Sequence, residues 1–230
     1  EKQRMAQALE IARDIQQRLL PGEDPQVEGF DVAGWSRPAD ETGGDIYDFH
    51  DLGNGRWMLL LADASGHGIG PALVVAETRA LLRSLSGCLL VGDGDFAAPC
   101  GMDVSRMLLR VNDLLIHDLD SSRFVTCFLA VLDAQGACVR HASAGQGPIH
   151  FYRRRDDAFD SLDATSIPLG VLEGMDFSVT EPRKLDAGDM LIVATDGFFE
   201  AARPGGEAFG HERMLQAIRD HRDAPAPAII

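Results

Sequence analysis

The sequence lacks three features that would place it in a specialised class: paired cysteines, an excess of basic residues and a long apolar run. Only four of the 230 residues are cysteine, and no two form a C-x-x-C pair, so neither a zinc site nor a redox motif is indicated. Lysine and arginine number 21 against 36 acidic residues, and the net charge of -15 disfavours nucleic acid and anionic membranes as main partners. No apolar run approaches the roughly 20 residues that span a bilayer.

These absences together predict a cytoplasmic protein. The first ten residues, EKQRMAQALE, lack the apolar core of a signal peptide. Cys127 and Cys138 lie in strand-like runs and are expected to be buried thiols, which fits a reducing compartment. With 45% hydrophobic and 25% charged residues, the chain has the composition of an ordinary globular domain with a sizeable core.

The N-terminal segment has helical periodicity. Apolar side chains recur at three- and four-residue spacing from Met5 to Leu19, and Pro21 with Gly22 predicts the end of the helix. The stripe fits either a helix packed on its own domain or a dimer seam of the coiled-coil kind. We therefore divide the chain into an N-terminal linker or dimerisation helix at residues 1–22 and a second domain at residues 23–230.

The second domain reads as strands around a central helical pair. Strands are predicted at residues 30–36, 45–52, 55–63, 123–133, 137–145, 149–154, 177–185 and 189–197, and helices at 70–85, 103–119 and 211–221. Residues 89–103 and the charged run 153–160 are expected to be loops, and the tail DAPAPAII a chain end without its partner. Since turns rather than crossover helices join most strands, we expect antiparallel pairing and an α+β fold; a doubly wound parallel sheet would need regular strand–helix alternation.

Three aspartates share one kind of position, a strand end beside glycine. Asp45 opens a strand after the glycines of ETGG, Asp63 ends the run WMLLLA, and Asp196 follows MLIVAT. An aspartate at such a place is often only a turn residue or a helix cap, but three in one domain weigh against that reading for all of them. Clustered carboxylates repel one another and need a cation, and hard oxygen ligands favour Mg²⁺ or Mn²⁺.

Several motifs occur in an order that resembles the SpoIIE-type branch of the metal-dependent protein phosphatases, the PPM family. They are PADETGGDIYDF, LLLADASGHGIGPAL, GQGPI, PLGV, LDAGDMLIVATDGFFEA and GEAFGHERM. The segment IARDIQQRLLP also resembles the linker helix that precedes this domain in bacterial stress-signalling phosphatases. The resemblance implies a four-layer sandwich of two antiparallel sheets flanked by helices. It also implies hydrolysis of phosphoserine or phosphothreonine with two Mn²⁺ or Mg²⁺ ions.

The same resemblance implies roles for particular residues. By motif match, Asp63 would be the catalytic residue that bridges both metal ions. Asp45 and the backbone carbonyl of Ala64 would hold one ion, and Asp196 the other. The neighbouring residues expected to shape the phosphate-binding turn are Gly44, Ser65 and Gly66. A metal-activated water would attack phosphorus, so no phosphoenzyme is expected.

Two further residues in these motifs are expected to act indirectly. We expect His67 of SGHG to bond a backbone group rather than to act as a general acid. Glu41 is expected to hydrogen-bond to the metal ligands. The resemblance also implies that the helices at 71–85 and 103–119 are regulatory elements. Because the apolar stripe of the N-terminal helix is continuous, we expect this helix to form a homodimer and to pass a signal to them. The implied substrate is a phosphorylated anti-sigma-factor antagonist.

Two alternatives to a phosphatase are weighed against these motifs. GGDIYDF echoes the GGDEF signature of diguanylate cyclases, but Ile46 and Tyr47 stand where that signature has its acidic and aromatic residues. A pseudophosphatase adaptor, which binds a partner without turnover, is the stronger alternative. The family normally ends with a further strand whose aspartate completes one metal site, and the sequence stops at DAPAPAII before such a strand. The presence of all three other aspartates argues against the adaptor.

Overall fold

Two antiparallel β-sheets stacked between helices make up the computed structural model, which describes residues 2–38, 41–89, 100–120, 122–202 and 206–230. The helices are α1 (Lys2–Gln17), α2 (Ile69–Leu89), α3 (Cys100–Asp118), α4 (Asp196–Phe199), α5 (His211–Asp220) and α6 (Ala226–Ile229). The strands are β1 (Asp45–Gly53), β2 (Arg56–Ala64), β3 (Val125–Asp133), β4 (Cys138–Ala144), β5 (Ile149–Arg153), β6 (Ala158–Leu162), β7 (Arg183–Lys184) and β8 (Met190–Val193). The first sheet has the order β1-β2-β3-β4-β7 and the second the order β6-β5-β8.

Three apolar clusters fill the spaces between the layers. The first packs α2 and α3 on one face of the first sheet and includes the fully buried Leu82, Leu108 and Leu129. The second lies between the two sheets, around Phe128 and Phe151. The third packs α5 and α4 on the second sheet. The layers therefore run helices, sheet, sheet, helices, which confirms the predicted α+β four-layer sandwich.

Strand β2 shows how the sequence sorts side chains between these clusters. Met58, Leu60 and Ala62 belong to the cluster under the helices. Trp57, Leu59 and Leu61 belong to the cluster between the sheets. Successive strand side chains point to opposite faces, so a strand with both faces covered is apolar throughout. This alternation fixes the direction of Asp63, which has the parity of the residues that face the second sheet.

The predicted hairpin is confirmed at β1 and β2. Its turn lies at Asn54, which has a φ of 54° between two glycines whose φ values are 80° and 72°. Asparagine and glycine adopt this left-handed region with little strain, which is why GNG predicts a tight turn here. The turn sets the register that places the far ends of both strands side by side.

The prediction of a strand at residues 30–36 is wrong. Apart from an isolated bridge between Val27 and Phe30, this segment is irregular. Its backbone groups bond to side chains instead of a neighbouring strand: Gly34 N–H donates to Asp24 Oδ1 at 3.2 Å, and the Tyr47 hydroxyl donates to the Gly34 carbonyl at 2.9 Å. The alternating apolar residues of this segment therefore pack against the core without pairing as a strand.

Two further predictions need correction, one in each sheet. The charged run 153–160 is not wholly a loop, because β6 begins at Ala158 and Asp160 forms ion pairs with Arg153 and Arg183. The predicted strand at 177–185 is reduced to the two residues of β7. In place of further strand pairing with β4, Thr180 makes two hydrogen bonds to the backbone of His141. Its N–H donates to the His141 carbonyl at 2.8 Å, and its hydroxyl accepts from the His141 N–H at 3.1 Å.

The chain ends differ in part from expectation. Helix α1 forms as predicted but ends at Gln17. Ile15 of its apolar stripe is 58% exposed, and Ile11 on the same helix is 54% exposed. The C-terminal tail contains the short α6, whose Ala226 N–H donates to Asp31 Oδ2 at 2.6 Å.

The remaining sequence predictions fare as follows. Cys127 is buried as predicted, whereas Cys138 is only partly so. Residues 90–99 of the predicted loop at 89–103 lie outside the described residues, and the prediction is wrong at residues 100–103, which form the first turn of α3. None of the described helices is long and apolar enough to cross a membrane.

Candidate active site

Two of the three aspartates stand opposite each other in the first sheet. The register pairs Asp45 of β1 with Asp63 of β2, and Asp63 in turn with Thr126 of β3. Directly opposed residues of antiparallel strands project from the same face. Because Leu61 of β2 packs between the sheets, the alternation turns Asp63 and its two neighbours toward the second sheet.

The third aspartate arrives from the second sheet. Strand β8 ends at Val193, and Asp196 opens α4 just beyond it. The side chain of Thr195 hydrogen-bonds to Asp45. A Cβ placed on Gly197 would lie 3.7 Å from Asp45 Oδ2. The sheets therefore bring the three predicted aspartates together at one end of the space between them.

Burial and mutual repulsion perturb these carboxyl groups. Desolvation, followed by the negative charges of Asp45 and Asp196, raises the pKa of Asp63 from 3.8 to about 7. Desolvation also raises the pKa of Asp45 from 3.8 to about 6, with the Thr195 hydrogen bond opposing the increase and Asp196 adding to it. Carboxyl groups with such raised pKa values are typical of functional sites.

The donor atoms at this site are of the chemical kind that suits a hard divalent cation. Among the residues that the structure describes, no group of three His, Cys, Asp or Glu side chains is close enough together to hold a metal ion. The aspartates interact across the site without converging, and their like charges repel one another. Carboxylate and carbonyl oxygens are the ligands that suit Mg²⁺ and Mn²⁺, and a cation would remove the repulsion.

The backbone of Gly44 closes tightly on the same place. A Cβ at this position would lie 2.6 Å from the Ala64 carbonyl oxygen and 3.0 Å from Asp63 Oδ1. The Ala64 N–H donates to the Gly44 carbonyl at 3.0 Å, which holds the two segments in contact. Only glycine avoids this clash, so the carbonyl of Ala64 and the carboxylate of Asp63 both lie close against Gly44.

The turn that follows Asp63 is fixed at its first residue and adopts left-handed conformations after it. Ser65 N–H donates to the Phe124 carbonyl at 3.0 Å, and the Phe124 N–H donates to Ser65 Oγ at 3.1 Å. Gly66 and Gly68 have φ values of 100° and 86°, which non-glycine residues rarely adopt. His67 between them is exposed, and so is Glu41. Ser65 thus anchors the turn, while nothing in the structure tests the indirect roles expected for His67 and Glu41.

A glutamine that the periodicity did not single out supports this site from the N-terminal helix. Gln16, 7% exposed, donates from Nε2 to the Gly43 carbonyl at 2.6 Å and accepts from the Gly43 N–H at 3.0 Å. These two hydrogen bonds join α1 to Gly43, which precedes Asp45 by two residues. In the sequence, Gln16 looks like one polar residue among many of an amphipathic helix.

A buried ion cluster on the opposite face of β1 was also missed. Asp48 is fully buried, and its carboxylate accepts from Arg83 Nε at 2.5 Å and Nη2 at 3.1 Å. Arg79 Nε lies 3.0 Å from Asp48 Oδ2 as an ion pair without hydrogen-bond alignment. The signal in the sequence is the four-residue spacing of the two arginines on α2, which places both on one helix face. The cluster fixes α2 against the strand that carries Asp45.

Comparison with known proteins identifies the family. Residues 53–230 match the family model described as Stage II sporulation protein E (SpoIIE). The chain belongs to the SpoIIE family. Membership confirms the resemblance carried by the sequence motifs. Asp63 and Asp196 lie within the matched residues, and Asp45 precedes them.

Individual relatives agree with this membership. The SpoIIE-family chain is 29% identical over 205 residues to phosphoserine phosphatase RsbU of Bacillus subtilis, covering 89% of this chain and 57% of RsbU. The SiaA-PP2C domain of Pseudomonas aeruginosa superposes with a TM-score of 0.75 at 22% identity, over 99% of this chain and 87% of that domain. RsbX, solved in complex with magnesium, has a TM-score of 0.56 at 12% identity, over 87% of this chain and 82% of RsbX. The chain thus has a PP2C-like fold and spans little more than half of RsbU.

Proposed function

We propose that this SpoIIE-family chain is a metal-dependent serine/threonine protein phosphatase. The observation that carries the proposal is the meeting of Asp45, Asp63 and Asp196 at one end of the space between the sheets, where the pKa values of the first two are raised. Similarity to phosphoserine phosphatase RsbU supports the reaction. The magnesium complex of RsbX, a protein of similar fold, supports the class of metal.

In this proposal the chain's own residues would hold two Mn²⁺ or Mg²⁺ ions. Asp45 and the Ala64 carbonyl would hold one, Asp196 would hold the other, and Asp63 would serve both. When bound, such ions supply an activated water and neutralise charge on the phosphoryl oxygens. The strand ends of β1 and β2 hold Asp45 and Asp63 rigidly, so little reorganisation is needed when a substrate binds.

The turn after Asp63 provides the space for the phosphate. Gly44 and Gly66 carry no side chains there, and Ser65 is tied to Phe124 on the far side. No protein nucleophile is required, so phosphate leaves without a covalent phosphoenzyme.

The substrate that we propose is a small phosphorylated signalling protein of the anti-sigma-factor antagonist type, as the SpoIIE-type motifs imply. The exposure of Ile11 and Ile15 on α1 supports the further proposal of a homodimer through this helix. Sedimentation velocity of the wild type and of Ile15→Asp tests the dimer, which is excluded if both sediment as monomers at high concentration. A cytoplasmic location stays a prediction.

Metal binding and turnover can be tested on one pair of variants. We expect Mn²⁺ to bind the wild type in calorimetry and to activate hydrolysis of a phosphoserine peptide in a saturable manner. Asp63→Asn keeps the shape of the side chain but removes its charge, and should lower kcat at least 100-fold and weaken Mn²⁺ binding. Asp51→Asn, an exposed aspartate at the other end of the same hairpin, is the matched control and should change neither.

The adaptor alternative gives a different pattern in the same experiment. A chain that binds no Mn²⁺ and shows no turnover, yet keeps affinity for a phosphorylated or unphosphorylated partner, would overturn the phosphatase proposal. Equal activity of Asp63→Asn and wild type would overturn the assignment of Asp63.

A further inference from the structure

The connection between the two sheets next to the aspartates is a short turn that contains a buried glutamine. Strand β4 of the first sheet ends at Ala144 and β5 of the second begins at Ile149, so the chain changes sheets within four residues. Gln146 in this turn is only 5% exposed. The turn is tightly held, because Gly145 N–H donates to the Ser166 carbonyl at 2.7 Å.

The side-chain amide of Gln146 spans the gap between the sheets. The Thr126 hydroxyl of β3 donates to Gln146 Oε1 at 2.8 Å. Gln146 Nε2 donates to the Ala194 carbonyl at 2.9 Å, just beyond the end of β8. The orientation of the amide is determined by its partners, since the opposite orientation would set the amide oxygen against a carbonyl oxygen.

Both partners of this amide are next to proposed metal ligands. Thr126 stands directly opposite Asp63, and its hydroxyl also lies 3.5 Å from the Asp63 carbonyl oxygen. Ala194 precedes Asp196 by two residues. One buried amide is therefore bonded to the residue opposite Asp63 and to a residue two positions before Asp196. Away from water, neither hydrogen bond is readily exchanged for a solvent contact.

We propose that Gln146 is a positioning residue that sets the spacing between Asp63 of the first sheet and Asp196 of the second. The inference rests on the proposed metal site and deepens it. Apolar packing between the sheets is non-directional, so it holds them together without fixing the separation of two particular carboxylates. Hydrogen bonds have a narrow range of length and angle, and a bridge of two of them supplies that precision at the site.

The test separates positioning from general stability. Gln146→Met has a similar length and removes both hydrogen bonds, while Thr126→Val removes only the bond to the first sheet. The matched control is Asn112→Leu, which removes another fully buried amide that accepts from Gly170 N–H at 2.9 Å and donates to the Leu172 carbonyl at 2.8 Å. Asn112 lies on α3 and contacts none of the aspartates.

We expect Gln146→Met to weaken Mn²⁺ binding in calorimetry at least tenfold and Thr126→Val to weaken it less. The double variant should be no weaker than Gln146→Met, because both changes break the same bridge. Asn112→Leu should lower the melting temperature but leave Mn²⁺ affinity within twofold of the wild type. If Gln146→Met binds Mn²⁺ as tightly as the wild type, the inference is overturned while the proposed function stands.

A second measurement does not depend on the metal. In metal-free protein, hydrogen exchange of the amides in residues 192–198 should be at least fivefold faster in Gln146→Met than in the wild type, with the middle of β3 unchanged. Unchanged exchange would overturn the inference even if the chain bound no Mn²⁺, an outcome that would separately overturn the proposed function. Should Gln146→Met fail to fold, both measurements are made on Thr126→Val instead. This variant loses only the hydroxyl that donates to Gln146, so it is the milder change.

Discussion

Replacing Asp63 by asparagine should stabilise the metal-free protein, although the same change should abolish its proposed activity. Burial and two neighbouring carboxylates raise the pKa of Asp63 from 3.8 to about 7. A carboxyl group whose pKa is higher in the folded than in the unfolded chain favours folding when protonated. Its contribution is complete below pH 4 and is lost as the pH rises toward 7. Above that pH, the ionised Asp63 therefore opposes folding.

The size of the effect follows from the same pKa values. A change from 3.8 to about 7 corresponds to ~4 kcal/mol at about 1.36 kcal/mol for each pKa unit. Asp63 is only partly buried, and solvent screening reduces the expected effect to about 2 kcal/mol. Asparagine has nearly the same shape and no charge, so Asp63→Asn should gain that amount at pH 8 and almost nothing at pH 4.

Urea denaturation with EDTA, at pH 8 and at pH 4, measures the difference directly. Added Mn²⁺ should reverse the order at pH 8, since a ligand at 100 times its Kd stabilises the folded state by about 2.7 kcal/mol and only the wild type binds it well. Asp51→Asn controls for the loss of one negative charge elsewhere. A metal-free Asp63→Asn that is less stable than the wild type at pH 8 would refute the electrostatic account of this site.

Two further predictions concern buried ionisable groups away from the proposed metal site. His141, 2% exposed between two phenylalanine rings, has its pKa lowered from 6.5 to about 4, first by desolvation and then by Arg183. The wild type should therefore lose up to ~3 kcal/mol of stability between pH 6.5 and 4, because the unfolded chain takes up the proton first. Denaturation of His141→Phe across this range should show a smaller loss, and an equal loss would contradict the assignment. Asp48→Asn leaves two arginines facing a neutral amide and should lower the free energy of unfolding, measured by chemical denaturation, by about 3 kcal/mol. Asp160→Asn breaks more exposed ion pairs and should lower it by under about 1 kcal/mol. Similar losses in the two variants would refute the importance of burial.

The predictable part of the fold is the part in which local pattern and burial agree. The β1–β2 hairpin has both an apolar strand and a turn whose conformation only a few residue types adopt, so its register could be anticipated. The aspartates at the strand ends could be anticipated for the same reason, because a carboxylate that terminates a buried run is costly without a partner. By contrast, residues 30–36 alternate like a strand, but their backbone partners are the side chains of Asp24 and Tyr47, which no local pattern specifies.

The supporting residues of the site could not be predicted because their partners are distant in the sequence. Gln16 bonds to a residue 27 positions away, and Gln146 to one 48 positions away. A polar residue within a helix or a turn is ordinarily expected to be solvated, and only the assembled sheets show that these two are buried. The motif GQGPI pointed to the turn that contains Gln146, but it gave no indication of which groups its amide would meet.

The arrangement of polar and apolar contacts explains why metal binding and folding should be coupled in this chain. The middle of the space between the sheets is filled by apolar side chains around Phe128 and Phe151, which favour association of the sheets. At one end, carboxylates from both sheets repel one another, and their charge opposes that association. A cation at this end would convert the repulsion into attraction and hold the two sheets together through their own ligands. The site therefore weakens the metal-free sandwich at the place where a bound ion would stabilise it, and the free energy of unfolding should report metal occupancy.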